Sequence, residues 1–462
     1  MFGILGIVLS LGLLMVLAYR GIDVIVLAPL MAVLAVVLNG GAPVFATYTQ
    51  IFMVGMGNFA IKYFPAFLLG AIFGKLMEES GSAAVIARKI VRTLGRQRAV
   101  LAVVVSCAVL TYGGVSLFVV AFAVYPLAAA LFREADIPKR LVPGAIALGA
   151  FTFTMTCLPG TVQIQNVIPM EVFGTTAFAA PVLGTLGGAL IFAGGMAWLS
   201  WRARSAARTG EGYGTGHTQE PDTAPAGRLP SFSAAMAPIV AVIVLNYLFS
   251  QQIMPRWNAP YLADKEFGST SLDKLLGMWS VIAALVLSCL LVAALSLRSP
   301  ARLNAALSKG SAASLAPMFN TASVVGYGAT IASLSGFEII KDWVLGISPG
   351  NPLISEAVAV NVLAGITGSA SGGMSIALDT LGPTYRALAD QAGVSPGLMH
   401  RVASMACGGL DTLPHNGAVV TLLAICGLSH RQSYKDIAVV SLAIPLLAVV
   451  VVLALGTWFG SF

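Results

Sequence analysis

One short stretch concentrates polar and ionisable side chains inside a long apolar run. Residues 408–417 read Gly-Gly-Leu-Asp-Thr-Leu-Pro-His-Asn-Gly, and they include Asp411 and His415. Histidine titrates near neutral pH, and an ionisable group within a membrane segment is a functional candidate by default. Asp411 and His415 are therefore proton-coupling candidates, and the alternative is that they only brace the broken backbone. Asp379 is a weaker candidate, because it is predicted to pair with Arg386.

A related interruption, Cys-Leu-Pro-Gly-Thr-Val-Gln-Ile-Gln-Asn, occupies residues 157–166. A broken membrane helix exposes free N–H groups and a positive dipole end, which together favour an anion. Small hydroxyls, amides and glycines line both interruptions, although such residues also allow close helix packing. The predicted substrate-binding residues are Gly113, Gly114, Ser116, Gly160, Thr161, Gln163, Gln165, Asn166, Ser369, Ser371, Gly372, Gly373, Ser375, Thr412 and Asn416.

Composition places these breaks in a membrane. The chain is 57% hydrophobic and 10% charged, against roughly 25% charged in a soluble domain, and apolar runs of spanning length recur throughout. This predicts an all-α polytopic membrane protein. Its net charge of +7 comes from residues at the ends of apolar segments, which indicates membrane orientation rather than nucleic-acid binding. Nucleotide-binding, metalloprotease and CxxC motifs are missing, so we expect no enzyme activity, no cofactor and no metal.

Charge and turn signals divide the chain into two halves joined by a linker. Five positive charges between Arg88 and Arg98 mark the cytoplasmic side. The linker is predicted to be cytoplasmic and both termini periplasmic, while Glu356 is expected to be solvated near a membrane boundary. The predicted divisions are a first half (1–201) with a hairpin (99–132) and a broken helix (141–170), a linker (202–232), and a second half (233–462) with a hairpin (353–390) and a broken helix (398–428).

Landmarks recur in the same order in the two halves. Gly113-Gly114 matches Gly372-Gly373, each followed by a residue and a serine, and Leu158-Pro159 matches Leu413-Pro414. Ser80-Gly81 with Ser335-Gly336, and Ile137-Pro138 with Ser395-Pro396, complete the series. Each half counts five crossings and one re-entrant hairpin, and an odd number of crossings inverts the second half. We therefore predict two inverted repeats with a central site between broken helices. Residues 48–56 are predicted to form a loop.

Several motifs together resemble the gluconate permease (GntP-type) family of the ion transporter superfamily. They are Tyr-Gly-Gly-Val-Ser at 112–116, Ile-Pro-Lys-Arg-Leu at 137–141, Phe-Thr-Phe-Thr-Met-Thr-Cys-Leu-Pro-Gly-Thr at 151–161 and Asp-Thr-Leu-Pro-His-Asn-Gly at 411–417. The resemblance implies proton-coupled uptake of a small organic anion by a homodimer with an elevator motion. The Leu-Pro-His-Asn break is more similar to the 3-hydroxybutyrate and short carboxylate permease branch.

The resulting hypothesis is a symporter for a hydroxy-carboxylate, such as 3-hydroxybutyrate or gluconate, in the inner (cytoplasmic) membrane. Its expected partners are this anion, a coupling ion, with H⁺ favoured over Na⁺, and the lipid bilayer. Two alternatives remain open, a sodium-coupled carboxylate symporter and a passive anion channel. A membrane enzyme or assembly factor is disfavoured, because catalytic signatures are missing.

Overall fold

The apolar runs fold into helices throughout the part of the chain that the computed structural model describes, which is residues 2–20, 22–40, 42–215, 217, 229–296, 299–348, 350–414 and 416–460. No strand occurs within these ranges. The first half contains α1 (Phe2–Tyr19), α2 (Val24–Asn39), α3 (Val44–Thr47), α4 (Met53–Glu79), α5 (Ser82–Leu94), α6 (Ala99–Tyr112), α7 (Leu117–Glu134), α8 (Val142–Ala150), α9 (Phe153–Thr156), α10 (Ile164–Phe173) and α11 (Pro181–Arg208).

The second half follows the same plan with its own helices. These are α12 (Phe232–Tyr247), α13 (Leu272–Ser296), α14 (Pro300–Ala332), α15 (Phe337–Gly346), α16 (Pro352–Thr367), α17 (Ala370–Ala392), α18 (Pro396–Ala406), α19 (Gly417–Cys426), α20 (His430–Ala438) and α21 (Ile444–Phe459). In each half, long helices come first, then a short helix (α5 or α15), a hairpin (α6–α7 or α16–α17), a broken helix and a final long helix.

Six helices in the described ranges are long and apolar enough to cross a membrane, or up to eight if each of two bent helix pairs is one span. The chain is therefore a multi-pass membrane protein. The loop predicted at residues 48–56 is wrong, because Tyr48–Phe52 forms a wide π-helical turn that joins α3 to α4. The helix continues from Val44 to Glu79 and accommodates Pro65 in its interior.

The long helices α4 and α14 pack along each other, and α14 also contacts the hairpin helix α17. Gly326 in α14 permits this approach, since a Cβ there would lie 2.6 Å from the carbonyl oxygen of Phe52. Burial of apolar surface along such contacts holds helices together only where side chains interlock, because lipid tails are equally apolar. The α4–α14 pair thus packs against the second hairpin through α14.

The second hairpin turns earlier than the repeat alignment predicts. Gly368 adopts a left-handed conformation with φ of +61°, and Ser369 caps α17 by accepting from the N–H of Gly372 at 3.1 Å. Gly372 and Gly373 therefore lie in the first turn of α17. A Cβ on Gly373 would overlap the backbone of Ala364 in α16, so this glycine is required for the two arms to pack.

Candidate functional site

The second break is held together by Asn416. Its side-chain oxygen accepts from the N–H groups of Ala418 (2.6 Å) and Val419 (3.0 Å), which caps α19. Its amide nitrogen donates to the carbonyls of Asp411 (2.8 Å) and Gly368 (2.9 Å). Asn416 thereby fastens the break to the tip of the second hairpin, and all four of its hydrogen-bonding positions are used.

The first break contains a similar asparagine. Asn166 donates to the carbonyls of Thr161 (2.9 Å) and Ala177 (3.0 Å), and its oxygen accepts from His400 (3.1 Å) and Arg401 (3.1 Å). Both asparagines donate to a carbonyl five residues earlier. Asn166 is predicted from the sequence to bind the substrate, but its hydrogen-bonding positions are also fully used by the protein.

Each break also contacts the hairpin tip of its own half. Gln163 donates from its amide nitrogen to the carbonyls of Thr111 (2.8 Å) and Val115 (3.3 Å), at the tip of the first hairpin. Ser116 begins the return arm, where its side chain caps α7 at the N–H of Val119 (3.5 Å). The contact from Gln163 to the first tip parallels the contact from Asn416 to the second.

Both breaks and both tips line a single cavity of about 990 Å³. The first turns of α7, α10, α17 and α19 all contribute to its wall. Four helix N-termini therefore meet at this cavity, and their positive dipole ends create a region that favours negative charge. Side-chain caps on α7, α17 and α19 accept from Val119, Gly372, Ala418 and Val419, so a ligand could use only the remaining first-turn N–H groups. The predicted residues that line it are Gly114, Ser116, Gln163, Gln165, Ser369, Ser371, Asp411, Thr412 and Asn416.

The other predicted residues lie outside this lining. Gly113 packs against Ile239, and Gly160 lies against the ring of Phe178 with φ of +83°. His415 lies outside the described residues. The remaining predicted residues that do not line the cavity are Thr161, Asn166, Gly372, Gly373, Ser375 and Asp379.

Two cavity-lining side chains have a buried oxygen without a hydrogen-bond partner in the described structure. They are Asp411, through Oδ1, and Gln165, through Oε1. Asp411 lines the cavity although it is only 8% exposed. Buried polar atoms are usually paired, and an unpaired one at a cavity marks a place where a ligand or ion completes the set.

Two predictions for acidic residues are wrong. Arg386 donates to the carbonyl of Val172 at 3.2 Å rather than pairing with Asp379, which is exposed on α17. Glu356 is fully buried, and neither of its carboxyl oxygens has a partner among the described residues, although solvation was expected. Glu356 lies in the first turns of α16, a helix that packs against α15, α17 and α18.

The residues that hold the breaks from outside are not among those predicted from the sequence. Arg401 and His400 in α18 bond to the first break. His430 bonds to the carbonyl of Pro414 (2.9 Å) and Tyr434 donates to that of Thr412 (3.1 Å), which holds the second break. Arg401 could have been predicted from the sequence, because an ionisable residue inside an apolar membrane segment is a functional candidate.

The cavity lining extends to the end of α4 that adjoins the basic helix α5. Lys75 and Glu78 line the cavity there and pair at 2.7 Å. Earlier in α4, outside the lining, Lys62 forms an ion pair with Glu171 of α10 at 2.9 Å. Tyr63 also donates to the carbonyl of Ile168 at 3.3 Å. These contacts join α4 to α10 beyond the site.

Comparison with known proteins agrees with this arrangement. Residues 2–334 match the GntP family permease family. The chain belongs to the GntP permease family. It is 47% identical over 474 residues to the "Uncharacterized transporter YxjC" of Bacillus subtilis (strain 168), with 98% of each chain covered. This GntP permease is accordingly a secondary transporter, and family membership argues against an enzyme.

Two solved structures share the fold at low sequence identity. The YdaH transporter of Alcanivorax borkumensis, described as having an unusual topology, matches with a TM-score of 0.55 and 17% identity, covering 88% of this chain and 87% of its own. MtrF of Neisseria gonorrhoeae, placed in a class of antimetabolite efflux pumps, matches with a TM-score of 0.54 and 13% identity, covering 89% and 83%. These likenesses show that the GntP permease has a transporter fold.

Proposed function

We propose that this permease carries a small hydroxy-carboxylate together with a proton across the cytoplasmic membrane. The convergence of four helix N-termini on one cavity is the observation that carries the proposal. Such termini bind anions through backbone N–H groups and the helix dipole, without a fixed cation in contact with the ligand. The positive side chains in the described lining, Lys75 and Lys309, do not belong to the breaks or tips.

Polar groups without partners favour a hydroxylated ligand. Gln165 and Asp411 each keep a buried oxygen without a partner, and a substrate hydroxyl can donate to it once the side chain turns that oxygen toward the cavity. The cavity volume of about 990 Å³ lies at the upper end of small-molecule sites. It accommodates 3-hydroxybutyrate with water, or a longer sugar acid such as gluconate.

Proton coupling is proposed to reside at Asp411. An anion entering the cavity meets this carboxyl group, and two negative charges in a poorly hydrated space repel each other. A proton on Asp411 removes that repulsion, so that anion and proton bind together. This link between the two ligands is what a symporter needs.

The proposed transport step moves the hairpins and breaks together past the α4–α14 pair. Asn416, Gln163 and Arg401 connect these parts to one another, which supports motion as one body. The Lys62–Glu171 ion pair and the Tyr63–Ile168 contact have to open for the site to reach the other side. A homodimer of this type remains a proposal.

Uptake into proteoliposomes tests the function. Labelled 3-hydroxybutyrate and gluconate are offered with an inward proton gradient, an inward sodium gradient or neither. We expect accumulation above equilibrium only with the proton gradient. Accumulation driven by sodium contradicts proton coupling, and equilibration without accumulation under any gradient identifies a passive channel.

A further inference from the structure

Arg401 is fully buried in α18, and every N–H of its guanidinium is bonded. Nε donates to the carbonyl of Ala179 (3.1 Å), and Nη2 donates to Ala179 (2.8 Å) and Ala177 (3.4 Å). Nη1 donates to the carbonyl of Thr156 (3.3 Å) and to the Asn166 side chain (3.1 Å). All of these acceptors are neutral, so the hydrogen bonds leave the positive charge in place.

No carboxylate in the described ranges forms an ion pair with Arg401. Other arginines of this protein are matched, since Arg140 and Arg202 both pair with the buried Asp436, at 3.2 and 2.8 Å. A buried charge without a partner is costly, and proteins usually supply a counter-charge. Arg401 therefore holds an unbalanced charge that an anion nearby would stabilise.

The guanidinium lies directly behind the cavity wall. Thr156 lines the cavity, and its carbonyl oxygen is the one that Arg401 contacts. Arg401 is fully buried and Thr156 nearly so, and a charge in such a place is screened less than in solution. The guanidinium does not line the cavity itself, and its influence on a ligand passes through the backbone around Thr156.

We propose that Arg401 is the fixed positive charge that an anionic ligand in the cavity neutralises. It is a positioning residue, and the inference rests on the proposed function only in taking the ligand to be a carboxylate. The competing role is a brace alone, because a cation at the last carbonyl of α9 stabilises that helix end. The two roles differ in whether ligand charge matters.

The test compares one ligand with and without its charge. Purified full-length protein is titrated with 3-hydroxybutyrate and with 3-hydroxybutyramide, and binding is followed by thermal shift. The variants are Arg401→Lys, which keeps the charge, and Arg401→Met, which removes it. Ser404→Ala is the matched control, because Ser404 also donates to the carbonyl of Thr156 (2.8 Å) but is neutral.

We expect the wild type to bind the acid at least about tenfold more tightly than the amide, equivalent to about 1.4 kcal/mol. Arg401→Lys and Ser404→Ala should keep most of this preference, and Arg401→Met should lose it. In proteoliposomes, the same loss should appear as a raised KM with a smaller change in maximal rate. Should Arg401→Met not fold, Asn166→Asp decides the question, because it places a carboxylate against Arg401 and should also remove the preference.

Three outcomes overturn the inference: a wild type that does not prefer the acid, an Arg401→Met that keeps the preference, or an Arg401→Met that fails to fold while Asn166→Asp keeps it. If Arg401→Met lowers the melting temperature but keeps the preference for the acid over the amide, Arg401 only stabilises the structure. Acid binding without uptake contradicts the transport proposal instead, and leaves the role of Arg401 standing.

Discussion

Asp411 and Asn416 lie five residues apart in the second break, yet the structure gives them different tasks. Asn416 has no hydrogen-bonding position left, whereas Asp411 keeps an oxygen without a partner at the cavity. The same distinction separates Asn166 from Gln165 in the first break. At the scale of single residues, we therefore expect ligand binding at the polar groups that the rest of the protein leaves without a hydrogen-bond partner.

Asp411→Asn should abolish proton-driven accumulation while leaving exchange of labelled for unlabelled substrate across the membrane. The amide resembles a carboxyl that always carries its proton, so substrate binding no longer depends on a proton. Uptake and exchange in proteoliposomes measure the two activities. Asp390→Asn is the matched control, because Asp390 is exposed near the end of α17 and lies outside the cavity lining. Full accumulation by Asp411→Asn would refute the assignment.

A second prediction concerns Glu211, which follows α11 and pairs with Arg140 through Nη2 at 2.8 Å. The hydrogen bond from Arg140 lowers the pKa of Glu211 below its usual value. Because the folded pKa is lowered, the stabilisation is present above the unfolded pKa and is lost as the pH falls through the folded one. Half-exposed pairs contribute less than about 1 kcal/mol.

Glu211→Gln should therefore lower the melting temperature slightly at pH 7. The difference from wild type should shrink as the pH is reduced below the usual range of a glutamate. Thermal unfolding of the detergent-purified wild type and variant, at pH 7 and at a pH below that range, measures the difference in melting temperature. A difference that stays constant with pH would contradict an ionic contribution.

At the scale of elements, the two halves use related devices at different positions in the sequence. Each break is fastened to the neighbouring hairpin tip by one amide side chain, Gln163 in the first half and Asn416 in the second. Each is also held by a helix outside it, α18 for the first and α20 for the second. The hairpins and breaks are thus a connected set.

The packing of the second hairpin can be tested at Gly373. Gly373→Ala places a methyl group onto the backbone of Ala364, and overpacking of this kind costs about 1–3 kcal/mol or more. We expect a lower melting temperature and reduced uptake. Gly57→Ala is the control, because Gly57 lies within α4 and nothing lies within 4 Å of the added methyl. Equal stability of the two variants would show that the arms can separate freely.

Hydropathy and charge were sufficient to predict the membrane-protein class and its helical fold, because spanning helices require long apolar runs. The breaks at residues 157–166 and 408–417 were visible through proline, glycine and polar side chains. The turn at Gly368 lies within the tip predicted at residues 367–375, but the repeat match pointed to Gly372-Gly373, because a Gly-Gly pair can serve a turn or a close contact equally well. The hydrogen-bond partner of a polar group can lie far along the chain, as Arg401 does for Asn166. A local sequence pattern therefore cannot predict which polar groups remain unpaired.

At the scale of the whole molecule, the proposed transport movement makes the contacts between α4 and α10 a closure that has to open. Lys62 and Glu171 form the ionic part of this closure, at 2.9 Å. Their side chains are 46% and 38% exposed, so the pair contributes little to stability. A weak contact at this position is suited to a closure that must open in every transport cycle.

Exchanging the two charges tests the closure. Lys62→Glu alone should place like charges together and slow uptake, and adding Glu171→Lys should restore part of the rate because the pair re-forms. Uptake rates of the wild type, both single variants and the double variant give the coupling between the residues. Rates that simply add, with no rescue in the double variant, would mean that the pair has no part in transport.

The hydrogen bond between Arg401 and Asn166 joins residues 235 positions apart in the chain. At roughly 5–20 residues per second, the ribosome needs on the order of ten to fifty seconds to make the second residue after the first. During that interval the carbonyls of the first break lack the donor that later holds them. The newly made first half must therefore wait inside the membrane with its polar groups satisfied by water or by the insertion machinery. The period in which the first half is most exposed to misfolding thus falls before the ribosome has made the second half.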